Sequence, residues 1–537
     1  MSTRDYVDPL TGRAPFEYAE PEVSDNLLFV STDMVPQEFW NRGPYSAIRR
    51  TPHLDRLALE GSSFSNAFAT APVCSPSRAA YLTGRHSYIM TNSERGHDGH
   101  DMHLRETDTI FPEYLSRVGY HTRHVGKSHV GRHKFMDAFG ENDSPWDRWS
   151  PPWFDDDSYL SYLRDRGLGP ITFDRSIYGA SPAGGEPGNF YGGWIAPQEG
   201  LPFPIEGTYP WYLVERAIAT LESRPSRDQP FYLQLDFFGP HQPFAIPGGF
   251  EERGRDIRAA VPHPVSYQLL KENGYKAPWL EPRVHRIYRE NWGLQDEGTV
   301  EDYLVANVLQ YEMIDLALGR LLEYLDRHNL YSTTTIVYTA DHGEMNCNLG
   351  LLDKGAFLNP HDMRVPLVIK PAVSCQDLFP PGSASDVPVS LIDIAPTICD
   401  LAGIAPADRT DGFPLQATLR GDMRPVDRPI LAEVWAHVIP NPCVATVFLG
   451  SDGSRYLFSF NICDDISELY RLDPSGRAED ELKNLFVQED SGSILEEAIR
   501  YLDSILAADE RWKGYHAYGR LVFAKYLGAG GDMQRFL

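Results

Sequence analysis

The run Thr333–Thr339 (TTTIVYT) constrains the fold of this chain more than any other segment. It is β-branched, apolar and short, which reads as a strand buried on both faces rather than a helix. A long helical pattern, Thr299–Arg327, comes just before it. The same order recurs upstream. Asn26–Ser31 (NLLFVS) reads as a strand, and helical patterns follow at His53–Glu60 and Phe111–Arg117. A strand then runs toward Val125, and helical Trp211–Leu221 precedes a strand at Phe231–Phe237 (FYLQLDF). Strands separated by helices imply an α/β fold, with a large, mostly parallel central sheet flanked by helices. Sites in such folds lie at the carboxyl ends of the strands, and Asp33, His241, Asp341 and His342 all fall there.

The flanking regions read differently. Residues 1–24 are expected to form an arm, 25–420 the catalytic domain, 421–510 a smaller α+β unit and 511–537 a tail. The tail is expected to pack on the body or to reach a neighbouring subunit, as in a homo-oligomer. Residues 140–210 are rich in Pro, Gly, Trp and Asp and read as a long insertion. Short strand patterns at Ile430–Trp435, Val444–Leu449 and Arg455–Phe460 precede a helical one at Ile494–Leu506.

Charge narrows the functional classes. A formal net charge of −26 over 537 residues repels nucleic acid and anionic membranes. An anionic substrate would therefore need cations placed locally in its site. No apolar stretch is long enough to span a bilayer, and Met1–Glu20 lacks the basic start and apolar middle of a secretory signal. The cysteines at 74, 347, 375, 399, 443 and 463 are scattered and form no CxxC pair, so reduced thiols in a cytoplasmic protein are expected.

The most specific chemical signal is Cys74-Ser75-Pro76-Ser77-Arg78, continuing to Leu82-Thr83-Gly84-Arg85. Pro76 suits the first turn of a helix and Gly84 its end. Cys74 then sits at the helix N-terminus, where free N–H groups and the helix dipole favour an anion. Arg78, one turn in, adds a fixed charge. A lone cysteine before a helix would read as structural, but the whole motif resembles the signature of the type I sulfatases of the alkaline phosphatase superfamily, with arylsulfatase and choline-sulfatase flavour. The resemblance implies an alkaline-phosphatase-like fold and oxidation of Cys74 to formylglycine by a separate formylglycine-generating enzyme. It also implies hydrolysis of small-molecule sulfate monoesters, aryl or small alkyl, through the aldehyde hydrate and a covalent sulfo-enzyme intermediate.

The same resemblance assigns the other residues. Asp33, Asp341, His342 and the formylglycine at Cys74 would bind one divalent metal ion. Calcium is favoured by family habit, and the nitrogen of His342 makes manganese the alternative. Family members often carry two adjacent acids after the first strand, whereas this chain has Asp33-Met34, and a thioether is a poor ligand for a hard cation. Gly126-Lys127-Ser128-His129-Val130-Gly131 resembles the family's GKxHxG element. It assigns Lys127 to the sulfate or diol and His129 to the diol proton. Lys127 and His129 are two apart, so on an extended segment they would point to one side. Pro240-His241-Gln242-Pro243 resembles PHxP, with His241 contacting sulfate and protonating the leaving oxygen. Lys354 takes the place of the family's sulfate-binding lysine. The resemblance covers roughly 25–420 and continues weakly at Asp411-Gly412, Glu468-Leu469-Tyr470 and Asn484-Leu485.

Other features read as supporting structure. Arg95–His103 reads as a glycine-rich loop at the site entrance rather than a second metal cluster. Trp146, Trp149, Trp153 and Asp155–Asp157 read as a packed loop, with an aromatic cage for a cationic substrate such as choline sulfate as the alternative. Cys347 reads as structural. The competing functions are a phosphonate monoester or phosphodiester hydrolase of the same superfamily and a non-catalytic binding protein on this fold.

Overall fold

The computed structural model describes residues 25–519, except 41–44, 87–103, 140–142, 179–189, 293–296, 407–409, 422–429, 464–465, 475, 489–491, 509, 515 and 518. The expected arm at 1–24, the loop at 95–103 and positions 520–537 of the tail lie outside the described residues.

The central sheet has eight strands. In chain order they are β1 (Asn26–Asp33), β2 (Ser62–Phe64), β3 (His121–Lys127), β4 (Asp143–Trp146), β5 (Phe231–Pro240), β6 (Thr334–Ala340), β7 (Leu367–Lys370) and β8 (Ala384–Ser385). Across the sheet the order is β8-β2-β7-β6-β1-β5-β3-β4. Only β7 runs against the others in this sheet. The middle strands β5 and β6 are buried along their whole length, as parallel strands covered on both faces must be. A long helix, Glu297–Arg327, and a shorter one, Tyr209–Glu222, pack together beside β5.

Register places the site. Thr32 of β1 pairs with Ala340 of β6, and Asp33 pairs with Pro240 of β5. Asp33, Asp341 and His241 therefore leave three neighbouring strands at one level of the sheet.

The segment read as an insertion supplies more of the framework than its composition suggested. β4 is an outer strand of the central sheet, where Pro145 is tolerated because an edge demands fewer ladder bonds. Phe173–Tyr178 and Phe190–Ile195 join Phe244–Pro247 in a separate three-stranded sheet.

Beyond these elements lies an antiparallel meander of β9 (Ile430–His437), β10 (Ile439–Leu449), β11 (Arg455–Asn461) and β12 (Glu468–Leu472). Side-chain alternation gives it two apolar faces. Leu431, Val444 and Phe458 meet helix Gly492–Ala508 through Ile499 and Leu502. Ala432, Ala445 and Leu457 face the main body of the protein through Phe68, Val73 and Met363. No helix among the described residues is long and apolar enough to cross a membrane.

Candidate active site

Helix Cys74–Thr83 begins at the cysteine itself, after an extended, buried Val73. The approach to it is braced from outside the central sheet. Val73 packs on the C-terminal meander, and the Glu433 N–H donates to the Thr70 carbonyl at 2.9 Å. Gly84 closes the helix at a φ of +68°, with its N–H on the Ala80 carbonyl at 2.8 Å. Such a left-handed C-terminal residue favours glycine.

One turn in, Arg78 is buried and ties the strand ends together. Its Nε donates to Asp341 Oδ2 at 2.9 Å, Nη2 to Asp33 Oδ2 at 3.5 Å and Nη1 to the Lys127 carbonyl at 3.1 Å. Asp236, inside β5, lies 3.8 Å from Nη1. Burial opposes the guanidinium charge, but Tyr81 and the carboxylates of Asp341, Asp236 and Asp33 hold its pKa well above the ordinary value. The Ser77 hydroxyl donates to the Asp341 carbonyl, fastening the helix to β6.

Asp33, Cys74, Asp341 and His342 converge, with one ligand atom from each lying within 4.8 Å of the others. Cys74 Sγ is 3.3 Å from His342 Nε2 and 3.7 Å from Asp33 Oδ1. His342 donates from Nδ1 to the Gly343 carbonyl at 3.0 Å, so Nε2 faces the cluster. Asp341 Oδ1 accepts from the N–H groups of Met34 at 3.1 Å and His342 at 2.9 Å. The unusual Met34 thus contributes its backbone, while its Sδ lies 3.9 Å from Lys354 Nζ.

The electrostatics ask for a cation. Burial, followed by the charge of Asp33, raises the Asp341 pKa. Burial and Cys74 act the same way on Asp33, but Lys127, His241 and Arg78 outweigh them and hold it below the ordinary value. Burial works against a charged His342, yet Asp341 and Cys74 push it up to about 9. Two buried carboxylates, an imidazole nitrogen and the residue-74 side chain fit a divalent cation, whose charge would relieve the repulsion felt by Asp341.

Lys127 ends β3 and ion-pairs with Asp33. Gly126, at a φ of +109°, lets β3 close on β5, because a Cβ there would lie 1.9 Å from the Asp236 carbonyl. The extended geometry expected of this segment stops at Lys127. His129 is buried but has a φ of +54°, so a two-residue repeat does not relate the two side chains.

His241 and Lys354 form the opposite wall. The His241 N–H donates to the Asp33 carbonyl at 3.2 Å. Its Nδ1 donates to the Gln242 carbonyl, and its Nε2 accepts from Lys354 Nζ at 2.8 Å. Asp353 Oδ1 takes a second Lys354 bond at 3.1 Å. Burial opposes the Lys354 charge, and Asp353 more than restores it.

Glu344 holds the loop that presents this lysine. It accepts from the Asp353 N–H at 2.6 Å, the Asn346 N–H at 3.1 Å and the Tyr303 hydroxyl at 3.0 Å. Burial, then the charge of Asp353, pushes Glu344 up to about 7. The loop bears left-handed φ at Asn346, Cys347, Leu349 and Asp353, a conformation that needs such anchoring.

Above His241 lies Trp149, with ring centroids 5.8 Å apart and planes at 47°. The tryptophans do not assemble a cage. Trp146 is half-buried against the core and Trp153 is buried against Phe173, at 5.6 Å between centroids. Asp155 pairs with Arg148 at 2.7 Å, while Asp156 caps helix Asp157–Asp165 and accepts from the Tyr209 hydroxyl.

Sequence reasoning missed Asp236, Glu344 and Asp353. An acid inside the apolar run FYLQLDFF was a visible signal for Asp236, since a buried charge needs a partner. Glu344 and Asp353 stand beside named residues, but their hydrogen bonds arise only from the folded loop.

Comparison with known proteins adds an independent line. The sulfatase family model matches residues 25–404. The chain is 28% identical over 390 residues to a protein of Escherichia coli K12 named uncharacterized sulfatase YidJ, covering 71% of this chain and 68% of that protein. It is 26% identical over 438 residues to the choline-sulfatase of Rhizobium meliloti, covering 78% and 76% respectively. The crystal structure of a phosphonate monoester hydrolase from Agrobacterium radiobacter shares the fold, with a TM-score of 0.67, 20% identity and coverage of 91% of this chain and 96% of that one.

Proposed function

This chain belongs to the sulfatase family and is a sulfuric ester hydrolase, and from that premise we propose that it converts aryl or small alkyl sulfate monoesters to alcohol and inorganic sulfate using a formylglycine made from Cys74. The observation that carries this reading is the convergence of Asp33, Cys74, Asp341 and His342 in one buried cluster, enclosed by Arg78, Lys127 and the Lys354–His241 pair.

Asp33, Asp341, His342 and the oxygen of residue 74 would hold one divalent cation, calcium favoured over manganese. When bound, it neutralises charge and makes the aldehyde hydrate more acidic. The side chains do the rest. Residue 74 sits at the N-terminus of helix Cys74–Thr83, where the positive end of the helix dipole favours negative charge. Arg78 fixes the carboxylates of Asp33 and Asp341. Lys127 and Lys354 supply positive charge for the sulfate oxygens, which compensates locally for the acidic surface. His241 has Nδ1 committed to a carbonyl, so Nε2, which faces the Lys354 ammonium, is the atom that passes a proton drawn from that ammonium to the leaving oxygen. His129 takes the hydrate proton as sulfate is released. Cys74 is fully buried in the folded chain, so the formylglycine-generating enzyme acts before the chain closes around it.

A phosphonate monoester or phosphodiester hydrolase is the second reading. The single acid Asp33, followed by Met34, and the Asp341-His342 pair favour it. Against it stands Lys127, which such relatives tend to lack and which here ion-pairs with Asp33. The test is a hydrolysis panel of aryl sulfate, choline sulfate, sugar sulfates, a phosphonate monoester and a phosphodiester. The highest kcat/KM is expected on a sulfate monoester, and a preference for the phosphonate would reverse the two readings.

A further inference from the structure

We propose that Trp149 is the leaving-group platform of this site and selects sulfate esters of aromatic alcohols over those of small alkyl alcohols. The inference rests on the sulfatase reading above and narrows its substrate class.

The argument starts from burial. Asp33, Cys74, Arg78, Lys127, Asp341, His342 and Lys354 all have 0% exposure, and His241 has 3%. The sulfate end of the substrate is therefore enclosed, and the alcohol part must extend past His241, which contacts the oxygen joining the two. There the ring of Trp149 stands 5.8 Å from the imidazole and is 45% exposed. An indole left half in water beside a proton donor offers apolar surface to a substrate. A flat ring bonded to the leaving oxygen can stack on it, and aromatic pairs contribute about 0.5–1.5 kcal/mol beyond the area they bury.

Among the described residues, the surroundings of Trp149 favour an arene over a quaternary ammonium group. A cationic cage requires further rings or carboxylates around the same space. Trp146 and Trp153 pack elsewhere, Asp155 is paired with Arg148, and Asp156 caps a helix.

The experiment compares the mature, metal-loaded enzyme with its Trp149→Ala and Trp149→Phe variants on 4-nitrophenyl sulfate and choline sulfate. For Trp149→Ala, kcat/KM on the aryl ester should fall about tenfold, mainly through KM. The choline ester should change less than about twofold, and Trp149→Phe should recover most of the aryl activity. Equal losses on both esters would make Trp149 a support for His241 alone and overturn the proposal. No loss on either, or a larger loss on choline sulfate, would also overturn it. A wild-type enzyme inert toward both esters would instead sink the aryl or small alkyl sulfate reading, and the platform with it.

Discussion

The two walls of the site are built by different means. On the cation side, Asp33 and Asp341 end adjacent parallel strands, Cys74 starts a buried helix, and Arg78 bonds across all three elements. On the leaving-group side, Lys354 comes from a loop with four left-handed non-glycine residues, held by Glu344, and Trp149 comes from an irregular segment. Regular elements fix the first wall through their backbone register. The second takes His241 from the end of β5, but its Lys354 depends on a few side-chain hydrogen bonds. That division suits an enzyme whose sulfate chemistry is constant while its alcohol varies, because loops change without disturbing the sheet.

The contrast can be broken most severely at residue 74. Cys74→Ala should leave folding intact, as checked by circular dichroism, and lower kcat on the order of 10⁴-fold or more. His241→Ala is the corresponding cut on the other wall. General acid catalysis is worth roughly 10²–10⁴-fold, so the loss should approach that range for poor leaving groups and be much smaller for activated aryl sulfates. Equal losses across leaving groups would remove His241 from the acid role.

How much of each wall was legible in sequence follows the same division. Strand ends and the helix mouth announce themselves through apolar runs, Pro76 and Gly84, which placed Asp33, His241, Asp341, His342 and Cys74, while their joint role and those of Arg78 and Lys354 came from the resemblance to the sulfatase signature. The sheet was harder to read away from its central strands. β4 contains Pro145, and the four-residue β7 runs against its neighbours, so neither carries a period long enough to read. Glu344 and Asp353 were missed because their function is to shape a loop, and the loop geometry exists only after folding.

A smaller cut sharpens the comparison. Glu344→Ala leaves the N–H groups of Asp353 and Asn346 without their acceptor, at a cost of about 1–3 kcal/mol for each buried group. As Lys354 shifts, turnover should fall roughly tenfold, the effect of about 1.4 kcal/mol on the barrier, with cation affinity, measured by calorimetry, nearly unchanged. A matching loss of cation affinity would show that the two walls are not independent.

The smallest effect concerns the seam with the C-terminal unit, where His361 lies 3.3 Å from Glu38 and 3.4 Å from Glu481. Burial opposes its charge, but these carboxylates push its pKa up to about 9. A histidine raised in the folded state stabilises fully below its unfolded value of about 6.5 and loses that contribution as pH rises through about 9. The Tm of the wild type should therefore fall by a few degrees more than that of His361→Gln between pH 7 and 9.5. Parallel curves would show that the seam does not depend on this charge.

The central claim is that the oxygen attacking sulfur belongs to an oxidised residue 74. Its most direct test is to plot turnover of an aryl sulfate against the fraction of Cys74 converted, in preparations made with graded amounts of the formylglycine-generating enzyme. Conversion is read by peptide mass as a loss of about 18 Da from the thiol form. Turnover should rise in proportion to conversion and extrapolate to zero for the unconverted chain, whereas turnover independent of that fraction would contradict the account.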